Sequence, residues 1–385
     1  MKELLQNTLQ DSQESFKNWK KIPFEERQKY FSQLAEILRK RKQEFGEIIT
    51  QEMKKPISQS VAEIEKCAIL CDYYANAENV LKPEKVETEF QISEVHHEAM
   101  GVILGVMPWN FPFWQAIRFA VPTILAGNSV ILKHASICLK SGDTLQQIFE
   151  EAGFPKGVFL HFEITHSEIE EMIAYPIIKG VSLTGSEAAG RKIAEIAGKN
   201  LKKSVLELGG SDAFIVCEDA NLGKAAESAA VARLQNCGQT CIASKRFIIH
   251  EKVFDSFLFL LLKNFKKYES GDPKDSKTRF SVMAREDLAN DLEKQYNKAL
   301  ENGAEFILPL ERISKAGFKP GILKMNSENS VNDEELFGPL AMVYSGKSDE
   351  ELLFIANNTM FGLGNSVWTG DESKAMFFAE NLESG

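Results

Sequence analysis

Gly180-Val181-Ser182-Leu183-Thr184-Gly185-Ser186-Glu187-Ala188-Ala189-Gly190 runs from a strand-like stretch through a turn into a helix start. Ile193, Ile196 and Ala197 then recur on one side of that helix. The same texture lies on either side. Upstream, Val102-Ile103-Leu104-Gly105-Val106 leads into Pro108-Trp109-Asn110-Phe111-Pro112, followed by Ser129-Val130-Ile131-Leu132-Lys133 and Gly157-Val158-Phe159-Leu160. Short apolar runs separated by helix-length segments imply a parallel sheet covered by helices on both faces. A second series begins near Glu207 with Ala213-Phe214-Ile215-Val216 and Arg246-Phe247-Ile248-Ile249, then helices to residue 303 or so. The fold class is α/β, with two doubly wound halves.

Residues 1–80 read as helices, because Phe31, Leu34, Leu38, Phe45 and Ile48 recur at helical spacing and Pro23 marks a helix start. Between 85 and 100 the chain alternates polar and apolar residues, as one half-exposed strand would. The 385 residues suffice for two or three domains. With 45 basic against 55 acidic residues the net charge is −10, which argues against nucleic acid or an anionic membrane as partner. Any anion must be held locally. The six cysteines form no C-x-x-C pair or disulfide framework, and Cys67 and Cys71 suit a buried helix face. No signal peptide or membrane-length apolar run is present, so the cytoplasm is expected. The six histidines make no zinc motif, so no metal is expected.

Several residues carry candidate chemistry at the strand ends, where ligands collect in such folds. Cys241 follows Gly238-Gln239-Thr240, a setting that can expose a thiol to a carbonyl carbon; a buried structural thiol is the alternative. Cys237 precedes it by four, so in a helical segment the two sulfurs would share a face and an oxidative disulfide is conceivable. Glu207 ends a strand-like run and can accept a proton, while Gly209 and Gly210 permit close approach of a backbone or flat ligand. Asn110 sits between Pro108 and Pro112, and its amide can serve an oxyanion hole or merely its own turn. Ser186 can cap a helix whose first N–H groups face a pyrophosphate, although the sequence is not G-x-G-x-x-G and a plain strand-to-helix turn would look the same. Lys133 can reach a ribose or phosphate or be a solvated edge lysine, and the small Ser136 would leave room for a 2′-phosphate. Glu335 and Phe337 offer a carboxylate for ribose hydroxyls and a ring to back a nicotinamide, or simply a polar loop with a core Phe.

In their order, these motifs and Phe361-Gly362-Leu363-Gly364-Asn365-Ser366-Val367-Trp368 resemble the aldehyde dehydrogenase superfamily along essentially the whole chain. The resemblance implies two Rossmann-like domains, a cofactor-binding one over 1–84 and 101–206 and a catalytic one over 207–385, with 85–100 as an oligomerisation strand segment. It implies Cys241 as nucleophile, Glu207 as general base and Asn110 as oxyanion donor. Trp109, Lys133, Ser136, Thr184, Gly185, Ser186, Leu208, Glu335 and Phe337 fall to the cofactor, NAD or NADP. The likeness is to bacterial succinate-semialdehyde dehydrogenases, in which an Arg at the position of Arg118 faces the substrate tunnel and would pair with a distal carboxylate. A structural ion pair is the other reading of Arg118. A second Arg found in some members is Gln235 here.

The implied activity is oxidation of a small aldehyde to its acid by a homodimer or homotetramer. The chain starts in the first helix and stops at Gly385, short of the family's usual ends, and is expected to be truncated at both. A catalytically silent nucleotide-binding or assembly subunit, or a coenzyme A-acylating relative, are the alternatives. Glu207 argues for water rather than coenzyme A as acceptor.

Overall fold

The protein, a computed structural model, is described over residues 2–326 and 328–385 and divides into two compact units, Met1–Glu52 with Ser60–Glu207 and Met53–Gln59 with Leu208–Gly385. In chain order the first elements are α1 (Lys2–Trp19), α2 (Phe24–Lys40), α3 (Lys42–Met53) and α4 (Ile57–Ala75). The two-residue strands β1 (Glu84–Lys85) and β2 (Glu94–Val95) follow. The alternating motif then runs β3 (Val102–Met107), α5 (Pro112–Leu125), β4 (Ser129–His134), α6 (Leu139–Glu151), β5 (Phe159–His161), α7 (His166–Ala174), β6 (Ile178–Thr184), α8 (Glu187–Lys199) and β7 (Lys203–Glu207).

The first unit is built on a five-stranded sheet ordered β5-β4-β3-β6-β7, parallel throughout. β3 comes first in sequence and sits between β4 and β6, so the chain winds outward in both directions from it. The crevice at the carboxyl ends of β3, β4 and β6 is the switch point where such sheets take ligands. Thr184 pairs with Glu207 at that end. Aromatic packing closes the far side: Phe149 and Phe159 stack at 4.3 Å, and Trp19 donates its indole N–H to the Ile124 carbonyl at 2.8 Å. Carboxylates cap two helix starts, where they meet orphan N–H groups and the positive dipole end. Glu63 accepts from Phe113 and Trp114 N–H at 3.0 Å on α5, and Glu52 from Lys140 N–H at 2.8 Å on α6. Residues 85–100 do not form the single strand their alternation predicts. They turn back on themselves, Glu84 facing Val95 and Lys85 facing Glu94, and leave Phe90 and Ile92 exposed.

The second unit contains β8 (Asp212–Val216), α9 (Leu222–Leu234), β9 (Ser244–His250), α10 (Phe254–Phe265), α11 (Glu286–Glu301), β10 (Glu305–Leu308), β11 (Glu311–Arg312), β12 (Phe318–Lys319), β13 (Gly321–Lys324), β14 (Leu340–Gly346), α12 (Asp349–Asn357), β15 (Asn365–Trp368) and α13 (Glu372–Asn381). Its main sheet is ordered β10-β13-β14-β9-β8-β15, parallel except at β10. Phe214, Phe247, Ile248, Phe257 and Met342 fill the core, and Ala225, Ala226, Ala229 and Ala230 are the small buried face of α9. β9 is buried at every position and starts two residues earlier than its apolar run suggests, taking Lys245 inside with Arg246. Burial of Arg246 is tolerated because its guanidinium donates to the carbonyls of Ser211 (2.7 Å), Ile355 (2.9 Å) and Ala356 (2.9 Å).

Candidate active site

In the first unit, Arg118 and Glu207 line one groove of about 400 Å³ together with Ile103, Phe119, Thr184 and Val205. The Arg118 guanidinium lies 3.7 Å from Glu207 Oε2, both side chains being partly exposed. The ion-pair reading of Arg118 therefore has a named partner, which is itself the expected general base. Asn110 is buried, and its Oδ1 accepts the Phe111 N–H at 3.1 Å, which orients the amide. Trp109 beside it is half-buried and its carbonyl accepts from the Cys138 thiol.

The nucleotide candidates occupy the carboxyl ends of the same sheet. Lys133 is not a solvated lysine: it is buried at the end of β4, and burial pulls its ammonium below the usual lysine range. Ser136 is exposed in the turn that follows. Ser186 is the N-cap of α8, its hydroxyl accepting the Ala189 N–H at 3.3 Å, and the Gly185 N–H is held by the Glu207 carbonyl at 3.0 Å. A buried ammonium and a helix start at the carboxyl end of one sheet are a donor set suited to an anionic nucleotide.

In the second unit the Cys241 loop is built from the backbone up. Asn236, Cys237 and Gly238 take φ of +52°, +56° and +75°, a left-handed turn that two non-glycine residues rarely adopt. Arg233, fully buried, holds it: the guanidinium donates to the carbonyls of Leu336 (2.7 Å), Leu340 (2.8 Å), Gly238 (3.4 Å) and Gly338. Gln239 adds a bond from Ala284 N–H at 2.9 Å. Because this segment is not an α-helix, Cys237 and Cys241 do not share a helix face; Cys237 is buried with its thiol on the Ser281 carbonyl. Cys241 is the one cysteine of the six that is not buried, as a thiol open to a carbonyl carbon requires. Burial pushes its thiol up, nearby Lys245 opposes that, Glu335 and Asp212 add to it, and the Ile242 N–H favours the thiolate.

The two glycines after Leu208 do what their small size allows. A Cβ on Gly210 would lie 3.0 Å from the Cys241 carbonyl oxygen, and one on Gly209 would overlap the Glu335 carboxylate. Glu335 is not a solvated loop residue either: its Oε1 accepts the Gly210 N–H at 3.2 Å and pairs with Lys245 at 3.0 Å. Leu208 and Phe337 are half-buried.

Two residues escaped the sequence reading. Lys245 stands four after Cys241, and a lysine two residues ahead of the apolar run Phe247-Ile248-Ile249 was the signal available. Asp212 follows the Gly-Gly pair at the start of β8. It is buried, one carboxylate oxygen has no hydrogen-bond partner among the described residues, and burial raises its pKa to about 7. No helix among the described residues is long and apolar enough to cross a membrane.

The aldehyde dehydrogenase family matches this chain over residues 2–385. An NAD(P)+ succinate semialdehyde dehydrogenase of Escherichia coli is 40% identical over 385 residues, 99% of this chain and 83% of that protein. An NADP(+) succinate-semialdehyde dehydrogenase of Deinococcus radiodurans is 36% identical over 381 residues, 98% of this chain and 80% of its own length. Among solved structures, succinic semialdehyde dehydrogenase from Streptococcus pyogenes in complex with NADP+ superimposes with a TM-score of 0.96 at 37% identity, covering 99% of this chain and 85% of that one.

Proposed function

Since the chain belongs to the aldehyde dehydrogenase family, an NAD(P)-dependent oxidoreductase acting on aldehydes, we propose that it oxidises succinate semialdehyde to succinate. The observation that carries the choice of substrate is Arg118: a half-exposed guanidinium in a groove walled by Ile103, Phe119 and Val205, beside Glu207. An apolar wall suits the short methylene chain, and a guanidinium suits the distal carboxylate. Relatives from Escherichia coli and Deinococcus radiodurans named for this substrate support the same reading.

In this reading Cys241 Sγ, as thiolate, adds to the aldehyde carbon, and the Asn110 amide and the Cys241 N–H donate to the alkoxide that forms. NAD or NADP supplies the hydride acceptor when bound. Lys133, Ser136, Trp109, Thr184, Gly185 and Ser186 serve its adenosine and phosphates, and Leu208, Glu335 and Phe337 its nicotinamide end. Glu207 takes a proton from the water that cleaves the resulting thioester and frees the Cys241 thiolate. The cofactor-binding domain is then 1–84 with 101–206, the catalytic domain 207–385, and the 85–100 hairpin the assembly element of a homodimer or homotetramer; the compact units depart from these bounds at 53–59 and at Glu207. Six free cysteines fit a reducing compartment, the cytoplasm in this reading.

The test compares succinate semialdehyde with butanal, which lacks the carboxylate. Arg118→Leu is expected to lower kcat/KM for succinate semialdehyde by about 10- to 100-fold more than for butanal, the loss of one charge-assisted contact. Equal losses would sink the carboxylate clamp while leaving aldehyde oxidation standing. Cys241→Ser abolishes turnover with both substrates if the thiol mechanism holds.

A further inference from the structure

We infer that Lys245 is a positioning residue for the nucleophile: its ammonium, sealed behind the 240–241 turn, ties the Thr240 and Cys241 carbonyls to the Glu335 carboxylate and sets a buried positive charge against the residue that carries the sulfur. The inference deepens the reading of Cys241 as nucleophile and rests on it.

The Lys245 side chain is 0% exposed. Its Nζ donates to Cys241 O at 2.6 Å and Thr240 O at 3.0 Å, and lies 3.0 Å from Glu335 Oε1. An ammonium has three donors, and three oxygens stand ready to take them. A neutral amine would turn a lone pair on one of those oxygens, so the site is made for the charged form. A buried cation is normally costly; here one full carboxylate and two carbonyl dipoles offset the burial. Glu335 is in turn held by the Gly210 N–H, in space that Gly209 leaves by having no side chain.

Two effects on Cys241 follow. Its own carbonyl is anchored, which fixes the peptide that presents the sulfur. The charges facing the thiol are Lys245 against Glu335 and Asp212, and those facing Lys245 are Glu335, Arg233 and Asp212. Among these groups Lys245 alone acts on the sulfur to favour thiolate, the form that attacks an aldehyde.

Alkylation of Cys241 by iodoacetamide, without aldehyde or nucleotide, reads this directly, because the other five cysteines are buried. The modified peptide is quantified by mass spectrometry at pH values between about 6 and 10, a range that spans ordinary and shifted thiols. Lys245→Met should raise the midpoint by roughly one pH unit and slow alkylation near neutrality about tenfold. Lys245→Arg, which keeps the charge, should stay nearer to the parent. Glu335→Gln removes the opposing anion and should move the midpoint down. Midpoints of Lys245→Met and Glu335→Gln that coincide with the parent overturn the inference. If Lys245→Met does not melt cooperatively, Glu335→Gln decides alone, and an unmoved or raised midpoint overturns it. Failure of the underlying reading looks different: Cys241→Ser would then keep oxidising aldehyde, whatever the alkylation profiles show.

Discussion

His134 closes β4 with both ring nitrogens engaged, Nε2 donating to the Pro112 carbonyl at 2.9 Å and Nδ1 accepting the Ala135 N–H at 2.9 Å. That network assigns the tautomer. A second proton on Nδ1 would meet a donor inside the core. Burial, with His161 and Lys133 adding to it, therefore takes the pKa from 6.5 down to about 4 despite the Pro112 bond. A depressed histidine contributes stability that is complete above its unfolded value and lost as the pH falls toward the folded one. The window is 6.5 to about 4, and the loss is roughly 3 kcal/mol. Urea midpoints of the parent should drop through that window, and His134→Gln, which can donate and accept at the same two places, should flatten the drop. Parallel slopes for the two proteins would clear His134 of any part in it. Asp212 runs the other way: raised to about 7, it adds stability that is present below 3.8 and lost as the pH rises through 7.

The helix starts differ in who caps them. α5 and α6 borrow Glu63 from α4 and Glu52 from α3, while α8 relies on its own Ser186. Ser186→Ala should cost about 0.5–1 kcal/mol in denaturant unfolding, and Ser186→Gly only a few tenths, because glycine leaves the first N–H groups open to water. An equal loss for both would mean the hydroxyl does not act as a cap. The cap, Pro23 ahead of α2 and the apolar runs of β3, β4, β6 and β8 were legible because they depend on neighbours within a few residues. The borrowed caps were not, since Glu63 and Phe113 are brought together only by packing. The left-handed turn at 236–238 was equally hidden: Asn and Cys adopt it because Arg233 holds the surrounding carbonyls, a contact between distant segments.

On the scale of the whole chain, the hairpin at 85–100 carries the most exposed apolar side chains of its region, Phe90 at 70% and Ile92 at 80%. Rings and branched chains left in water in the loop between two short strands suit a contact with another copy. Phe90→Lys with Ile92→Lys should lower the mass measured by sedimentation equilibrium while leaving the far-ultraviolet spectrum intact. An unchanged mass would remove the hairpin from assembly. Cations are few around the two places described above, although the chain as a whole carries −10: Lys133 is buried at the carboxyl end of β4, and Arg118 shares its groove with Lys203.

The order of residues alone determined the α/β class, the strand-to-helix junctions and the candidate thiol, because apolar periodicity and turn chemistry are local. Tertiary structure decided the state of the charges. Whether Lys133, Lys245, Arg118 or Glu335 is solvated or paired depends on what is folded against it, and a carboxylate arriving from a remote segment, as Glu335 does at Lys245 and Glu207 at Arg118, leaves no mark in the neighbouring sequence.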